Sequence, residues 1–297
     1  MTEVVAALAG VNLAAAVAIL LVLAIRPAVR RTFGPEVAYR LWAIPPAAGL
    51  ATLLPARVAE GPPPAPEASE PGLAAALLAL WLAGAILAVL WLALLQVRFL
   101  RLARAGRTGP AVIGVIAPRL VMPCGDGAYS DEERALVRAH EREHIARGDP
   151  RANALLAAVQ CLCWFNPLVH LAARFIRLDQ ELACDAAVIR RRGVAKAAYA
   201  RALLKVQMSG VSLPLGARWL AHGAHPLELR IASLARSPRS DTMVGPILVT
   251  AALAASVVAA WACQPPVPER PSLVPQIVGG DRPMSVAIIR MAPVARP

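Results

Sequence analysis

SDEERALVRAHEREHIARGDP, residues 130–150, is the stretch on which the reading of this chain turns. Ser130 stands where a helix N-cap belongs, and Glu133 three residues later completes a capping box. Asp131 and Glu132 add negative charge at the positive end of the helix. The run predicts one helix to about Arg147, stopped near Gly148-Asp149-Pro150. On it His140 and His144 lie four apart and so share one face, about one turn from each other. Both imidazoles can reach a single ion, and Glu141, beside the first, can take a proton from water at that ion. With five histidines and twelve glutamates in 297 residues, chance yields a His-Glu-x-x-His pattern roughly 0.003 times. That figure disfavours the bland alternative, two exposed histidines on an ordinary charged helix face.

Catalytic zinc takes three protein ligands and leaves one position for water, so a third ligand is expected. His170, His222, His225 and several carboxylates are candidates. After the break at Trp164-Phe165-Asn166-Pro167, residues 168–192 read as another helix, with Asp179, Glu181 and Asp185 among mostly apolar neighbours. Glu181 and Asp185 are four apart and share a face. In a zinc site the first can bind the metal while the second accepts the outer N–H of a ligand histidine and fixes its tautomer. Pairing of these acids with Arg174, Arg177 or Arg190 on a solvated helix is the alternative, and the histidine pair upstream favours the metal.

Outward from this site, the composition is that of a membrane protein. The chain is 58% hydrophobic and 17% charged, with a mean hydropathy of +0.55, which excludes a wholly soluble globular protein and intrinsic disorder. Segments 4–25, 73–95 and 244–261 carry no charge and meet the ~20 apolar residues of a span, the last slightly short. A fourth, 41–54, is shorter and broken by Pro45-Pro46, which membrane bundles tolerate when neighbours satisfy the freed carbonyls. The first segment reads as an anchor and not a cleaved leader, because its arginines (Arg26, Arg30, Arg31) follow it. Residues 26–40 carry a net +3, residues 55–72 a net −2 and residues 96–243 a net +10, so the first and third lie on the cytoplasmic side. The expected layout is a membrane region with three spans over 1–95, a cytoplasmic metallopeptidase domain over 96–243, a fourth span over 244–261 and a short Pro-rich external tail over 262–297. That tail is expected to be largely unstructured unless a partner orders it. The overall charge of +12 follows mostly from this topology and from attraction to anionic lipid, so membrane lipid is a partner and direct nucleic-acid binding is not expected.

Residues 152–165 are apolar, but fourteen residues containing Asn153 and Gln160 fall short of a crossing. A crossing there would also put Glu181 on the side opposite the histidines. The segment is expected to be a buried or interfacial helix, with the site near the inner membrane surface. Cys124, Cys161, Cys163, Cys184 and Cys263 are an odd number without a paired knuckle and read as reduced thiols.

The run from His140 to Asp149, then Asn153, Trp164-Phe165-Asn166-Pro167-Leu168, Asp179-Gln180-Glu181-Leu182-Ala183-Cys184-Asp185 and the segment 225–231 together resemble the membrane metallopeptidase family of the beta-lactam sensor-transducers, which regulate beta-lactamase and methicillin resistance. The resemblance covers roughly residues 1–262. It implies a mainly α, four-span helical membrane protein of the bacterial inner membrane. It also implies a gluzincin-like zinc domain distantly similar to the CAAX-processing peptidases, with Glu181 as third zinc ligand. The implied substrate is a cytoplasmic winged-helix repressor or the protein itself. Those sensors carry an external penicillin-binding domain with a Ser-x-x-Lys nucleophile. This sequence contains no Ser-x-x-Lys, so sensing by covalent acylation does not carry over.

The expected chemistry is zinc-assisted peptide hydrolysis in signal transduction, as in an antirepressor: His140, His144 and Glu181 hold Zn2+, Glu141 is the catalytic base and Asp185 orients a ligand. Tyr199, His222 and His225 are candidate oxyanion donors. A non-proteolytic signalling scaffold and a CAAX-type membrane peptidase are the alternative functions. Sequence leaves the oligomeric state and the sensed signal open.

Overall fold

The computed structural model describes residues 2–59, 71–106, 110–122, 129–209, 226–235 and 243–268. Ten α-helices dominate them, and the chain is a mainly α membrane protein. Three of the helices are long and apolar enough to cross a bilayer: α1 (Thr2–Phe33), α4 (Pro71–Arg104) and α10 (Val244–Ala262). Their large side chains, among them Leu13, Leu80, Leu87 and Ile247, face outward, as a lipid-facing surface requires.

The expected second span, 41–54, is not one long helix. The chain instead runs through α2 (Pro35–Arg40), a 3-10 turn (Leu41–Ala43) and α3 (Ile44–Ala51) without a break. Pro45 and Pro46 fall in the first turn of α3, where a missing N–H leaves no helical bond unmade. The segment packs along α10 from Val37, which touches Gly245, to Pro55, whose carbonyl accepts the Trp261 indole N–H at 2.9 Å. Gly49 lets α3 approach Val11 of α1 closely. At that far end β1 (Val58–Ala59) pairs in parallel with β4 (Val267–Pro268). The remainder of the tail, 269–297, lies outside the described residues.

A buried apolar cluster joins the bundle: Ile19 and Val22 of α1, Leu41 and Trp42 of the turn, Ile44 of α3, Val249 of α10, and Val169 and Ala172 from a helix much later in the chain. That helix is α7 (Pro167–Arg192), preceded by α6 (Asp149–Leu162). The two form a hairpin whose turn, residues 163–166, sits beside Asn12 of α1 and Trp81 of α4. Asn12 is about 20 Å along α1 from Arg26 at 1.5 Å per residue, so the hairpin descends deep between the spans. Residues 152–162 are thus its descending arm and 163–165 open its turn; Ala157 and Cys161 are buried while Leu155, Leu162 and Phe165 remain exposed, and because α7 returns, Glu181 stays on the side of the histidines.

The turn satisfies its polar groups from its surroundings, as an apolar layer demands. Trp81 donates its indole N–H to the Leu162 carbonyl at 2.8 Å, and Trp164 donates its own to the Trp81 carbonyl at 3.2 Å. Asn166 caps α7 by accepting from the Leu168 N–H at 3.0 Å. His170 reaches the Trp164 carbonyl at 3.0 Å and Gln160 at 3.2 Å.

At the opposite end of the bundle, α5 (Asp131–Arg147) packs with α7, α8 (Lys196–Ser209) and α9 (Pro226–Ala235) around Leu136, Ala139, Val188, Tyr199, Ala202, Leu203 and Leu234. A two-stranded antiparallel sheet, β2 (Ala111–Ile113) with β3 (Arg119–Val121), ties the end of α4 to this unit through Phe99, Ala103 and Ala111.

Candidate metal centre

The α5 capping box is complete: the Glu133 N–H donates to the Ser130 hydroxyl at 3.2 Å, and the Ser130 N–H donates to the Glu133 carboxylate at 2.8 Å. Gly148 ends the helix at φ 74°, a left-handed conformation suited to glycine. The reversal starts α6 at once and swings Asp149 back under the last turn of α5. There Asp149 accepts from His144 Nδ1 at 2.8 Å.

His140 is tied from behind in the same way. Its Nδ1 lies 3.3 Å from Asp185 Oδ1 and 2.9 Å from the Tyr199 hydroxyl, which itself donates to Asp185 at 2.7 Å. With both Nδ1 atoms turned to carboxylates, the two Nε2 atoms face each other 3.2 Å apart. Glu181 joins them: its carboxylate oxygens are 3.2 Å from His140 Nε2 and 3.5 Å from His144 Nε2. Three acceptor atoms converging without a proton between them repel unless a cation lies among them. Ligands at 2.0–2.1 Å around a tetrahedral zinc stand roughly 3.3 Å apart, so the donor set fits that ion in kind and spacing.

Glu143 faces away, buried and paired with Arg191 at 2.8 Å, which leaves Glu141 as the glutamate on the histidine side. Burial raises the Glu141 pKa, with His140 and His144 pulling the other way. For His140 and His144 burial opposes the charged ring, but bonds to Asp185 and Glu181 for the first and to Asp149, Cys184 and Glu181 for the second raise both pKa values. Burial also opposes the charged form of Glu181, yet Arg230 and the two histidines hold it well below the carboxylate range.

Arg230 of α9 is the residue that sequence reasoning missed. It donates to Asp185 at 2.8 and 2.7 Å and stands 2.9 Å from Glu181. Against the opposing effect of burial, it holds Asp185 down at about 2. It belongs to the segment 225–231 quoted for the resemblance, but nothing in its spacing marks one arginine of a basic chain. Asp149 was equally silent, since its place depends on the turn at Gly148.

A second cluster, His144, Asp149 and Cys184, also groups potential ligand atoms. The Arg147 guanidinium already lies 3.6 Å from Cys184 and 3.9 Å from Asp149, and burial pushes the Cys184 thiol up to about 11. This cluster backs His144. Tyr199, a candidate oxyanion donor, spends its hydroxyl behind His140, on the side away from Nε2. His170 sits in the first turn of α7, bonded to the hairpin turn and away from the histidine pair, and His222 and His225 lie outside the described residues.

Comparison with known proteins places the chain. The family described as BlaR1 peptidase M56 matches residues 6–71 and 104–234, which takes in both the first spans and the whole of the site above. The chain belongs to the BlaR1 peptidase M56 family. The "Regulatory protein BlaR1" of Bacillus licheniformis is 33% identical over 81 residues, a stretch covering 27% of this chain and 14% of that protein. Membership in M56 agrees with a membrane metallopeptidase-type signal transducer whose His-Glu-x-x-His helix and α7 carboxylates meet at one point.

Proposed function

We propose that this chain is a membrane-embedded zinc metalloendopeptidase acting in signal transduction. His140, His144 and Glu181 hold Zn2+, Glu141 is the catalytic base, and Asp185 orients His140. The observation that carries this reading is the convergence of two imidazole Nε2 atoms and a carboxylate within 3.5 Å, with both Nδ1 atoms held from behind. When bound, zinc supplies a Lewis acid that polarises the scissile carbonyl and lowers the pKa of water toward ~7. Glu141 takes the proton of the attacking water and returns it to the leaving amine; its raised pKa makes it a better acceptor than a solvated glutamate. Asp185, Tyr199 and Arg230 hold His140 and Glu181 in place, so neither has to reorganise during the reaction.

The substrate proposed is a cytoplasmic protein, a winged-helix repressor or the chain itself; the relative's designation as a regulatory protein supports this. In this reading the protein lies in the bacterial inner membrane, with residues 26–40 and 96–243 on the cytoplasmic side and the α6–α7 hairpin reaching from there between the spans. In support, the end of the bundle that carries the site also carries Arg30 and Arg31 of α1 and Arg101 and Arg104 of α4. The passage of residues 37–55 along α10 supports four crossings, with 1–95 and 244–261 as membrane regions and 262–297 as an external tail. The test is to mix repressor with membranes holding wild-type or Glu141→Gln protein. Wild type is expected to release a repressor fragment. The variant is expected to release none, a loss of at least about 100-fold, while keeping its metal. A full downstream response from the variant overturns the hydrolase reading.

A further inference from the structure

The connector between the first two membrane helices is built into the support of the candidate metal centre. Tyr39, on α2, accepts from the Gln180 side-chain amide at 3.0 Å and donates to Asp149 Oδ1 at 3.3 Å. The other oxygen of Asp149 receives His144 Nδ1 at 2.8 Å. Asp149 is 1% exposed, so water does not substitute for either partner. A carboxylate turns easily about its last torsion; Oδ2 is held by His144 and by the Cys184 thiol at 3.6 Å, while Arg147 Nε stands 3.9 Å from Oδ1, beyond hydrogen-bond distance, so Tyr39 is the hydrogen-bond donor on that oxygen. The Tyr39 ring lies under the Arg147 guanidinium, 4.7 Å away, so its position is set independently of the hydroxyl. From the hydroxyl the path to the centre is two hydrogen bonds: Tyr39 to Asp149, Asp149 to His144.

We propose that Tyr39 is a positioning residue for the metal centre: its hydroxyl fixes the rotation of Asp149, which aims His144 Nε2 at the ion. The α1–α3 connector thereby takes part in setting metal affinity. This rests on the metal-centre reading above. Groups that hold a ligand histidine are worth ten- to a hundredfold in metal affinity, and Tyr39 acts one bond further out.

The test uses full-length protein in detergent micelles. Zn2+ affinity is measured by competition with a chromogenic chelator, alongside the visible spectrum of the Co2+-loaded protein and the unfolding midpoint of the metal-free protein. Tyr39→Phe keeps the ring and removes the hydroxyl. It is expected to weaken Zn2+ binding roughly three- to tenfold, less than Asp149→Asn does, and to shift the Co2+ bands without moving the metal-free midpoint. In an Asp149→Asn background Tyr39→Phe is expected to add nothing. Wild-type affinity and spectrum in Tyr39→Phe, or an equal loss in both backgrounds, overturns the proposal, as does a lowered metal-free midpoint with unchanged affinity. Wild-type protein that takes up no stoichiometric metal overturns the metal-centre reading and this proposal together, whereas a metal-binding wild type with an indistinguishable Tyr39→Phe overturns this proposal alone.

Discussion

At the scale of the residue, the proposed centre sets protons against a cation for the same acceptor groups. The carboxylates behind His140 and His144 raise both pKa values in the metal-free protein, so protons compete for Nε2 at a higher pH than they do on a free imidazole. Apparent Zn2+ affinity is therefore expected to fall on acidification from above pH ~6.5, which chelator competition across pH 5 to 8 measures; a fall confined to pH below 5 contradicts the raised values. Asp185→Asn is expected to weaken metal binding about ten- to a hundredfold, as the same assay reads. His140, Glu141 and His144 were legible in the sequence because helical spacing alone puts them on one face. Glu181 and Asp185 were legible as a pair by the same geometry, although their approach to the histidines depends on how α5 packs on α7. Tyr39, Asp149 and Arg230 reach the site only through a glycine turn and the docking of α2 and α9, which no local spacing encodes.

At the scale of the element, the α6–α7 hairpin is held where it meets α4. A Cβ built on Gly84 would overlap the Trp164 indole. That ring cannot swing aside cheaply, since its N–H is spent on the Trp81 carbonyl. Gly84→Val is therefore expected to cost about 1–3 kcal/mol, seen as a lowered unfolding midpoint in micelles. Trp164→Ala in the same chain is expected to cost less in the Gly84→Val background than in wild type, because there the truncation also relieves the clash; equal costs contradict the contact. Residues 152–165 announced a helix too short to cross, but their depth was not legible. Depth is fixed by where the turn finds hydrogen-bond partners, and those lie on α1 and α4, far away in sequence.

At the scale of the whole molecule, one buried ion pair joins the membrane bundle to α7. Arg26, at the end of the apolar stretch of α1, donates to both oxygens of Asp179 at 2.9 Å; the Trp42 indole adds a bond of 2.8 Å, and Arg30 stands 3.5 Å off. Asp179 is fully buried and two residues from Glu181 on α7. Arg26→Met leaves that charge short of its main partner and is expected to cost about 3 kcal/mol, the lower end of the range for a broken buried pair because Arg30 and Trp42 remain. Denaturant unfolding in micelles measures the loss, and Arg26→Met combined with Asp179→Asn is expected to cost less than the two separate losses together.

The sequence by itself determined the membrane class, the long apolar helices, the capped His-Glu-x-x-His helix and the shared face of Glu181 and Asp185, because each follows from hydropathy or from a period of 3.6 residues. Only the tertiary structure decided that the second apolar segment is assembled from short helices, that α6 and α7 hang as a hairpin between the spans, and that α2 and α9 supply Tyr39 and Arg230 to the centre. These depend on contacts between segments tens to more than a hundred residues apart, where chain spacing carries no geometric information.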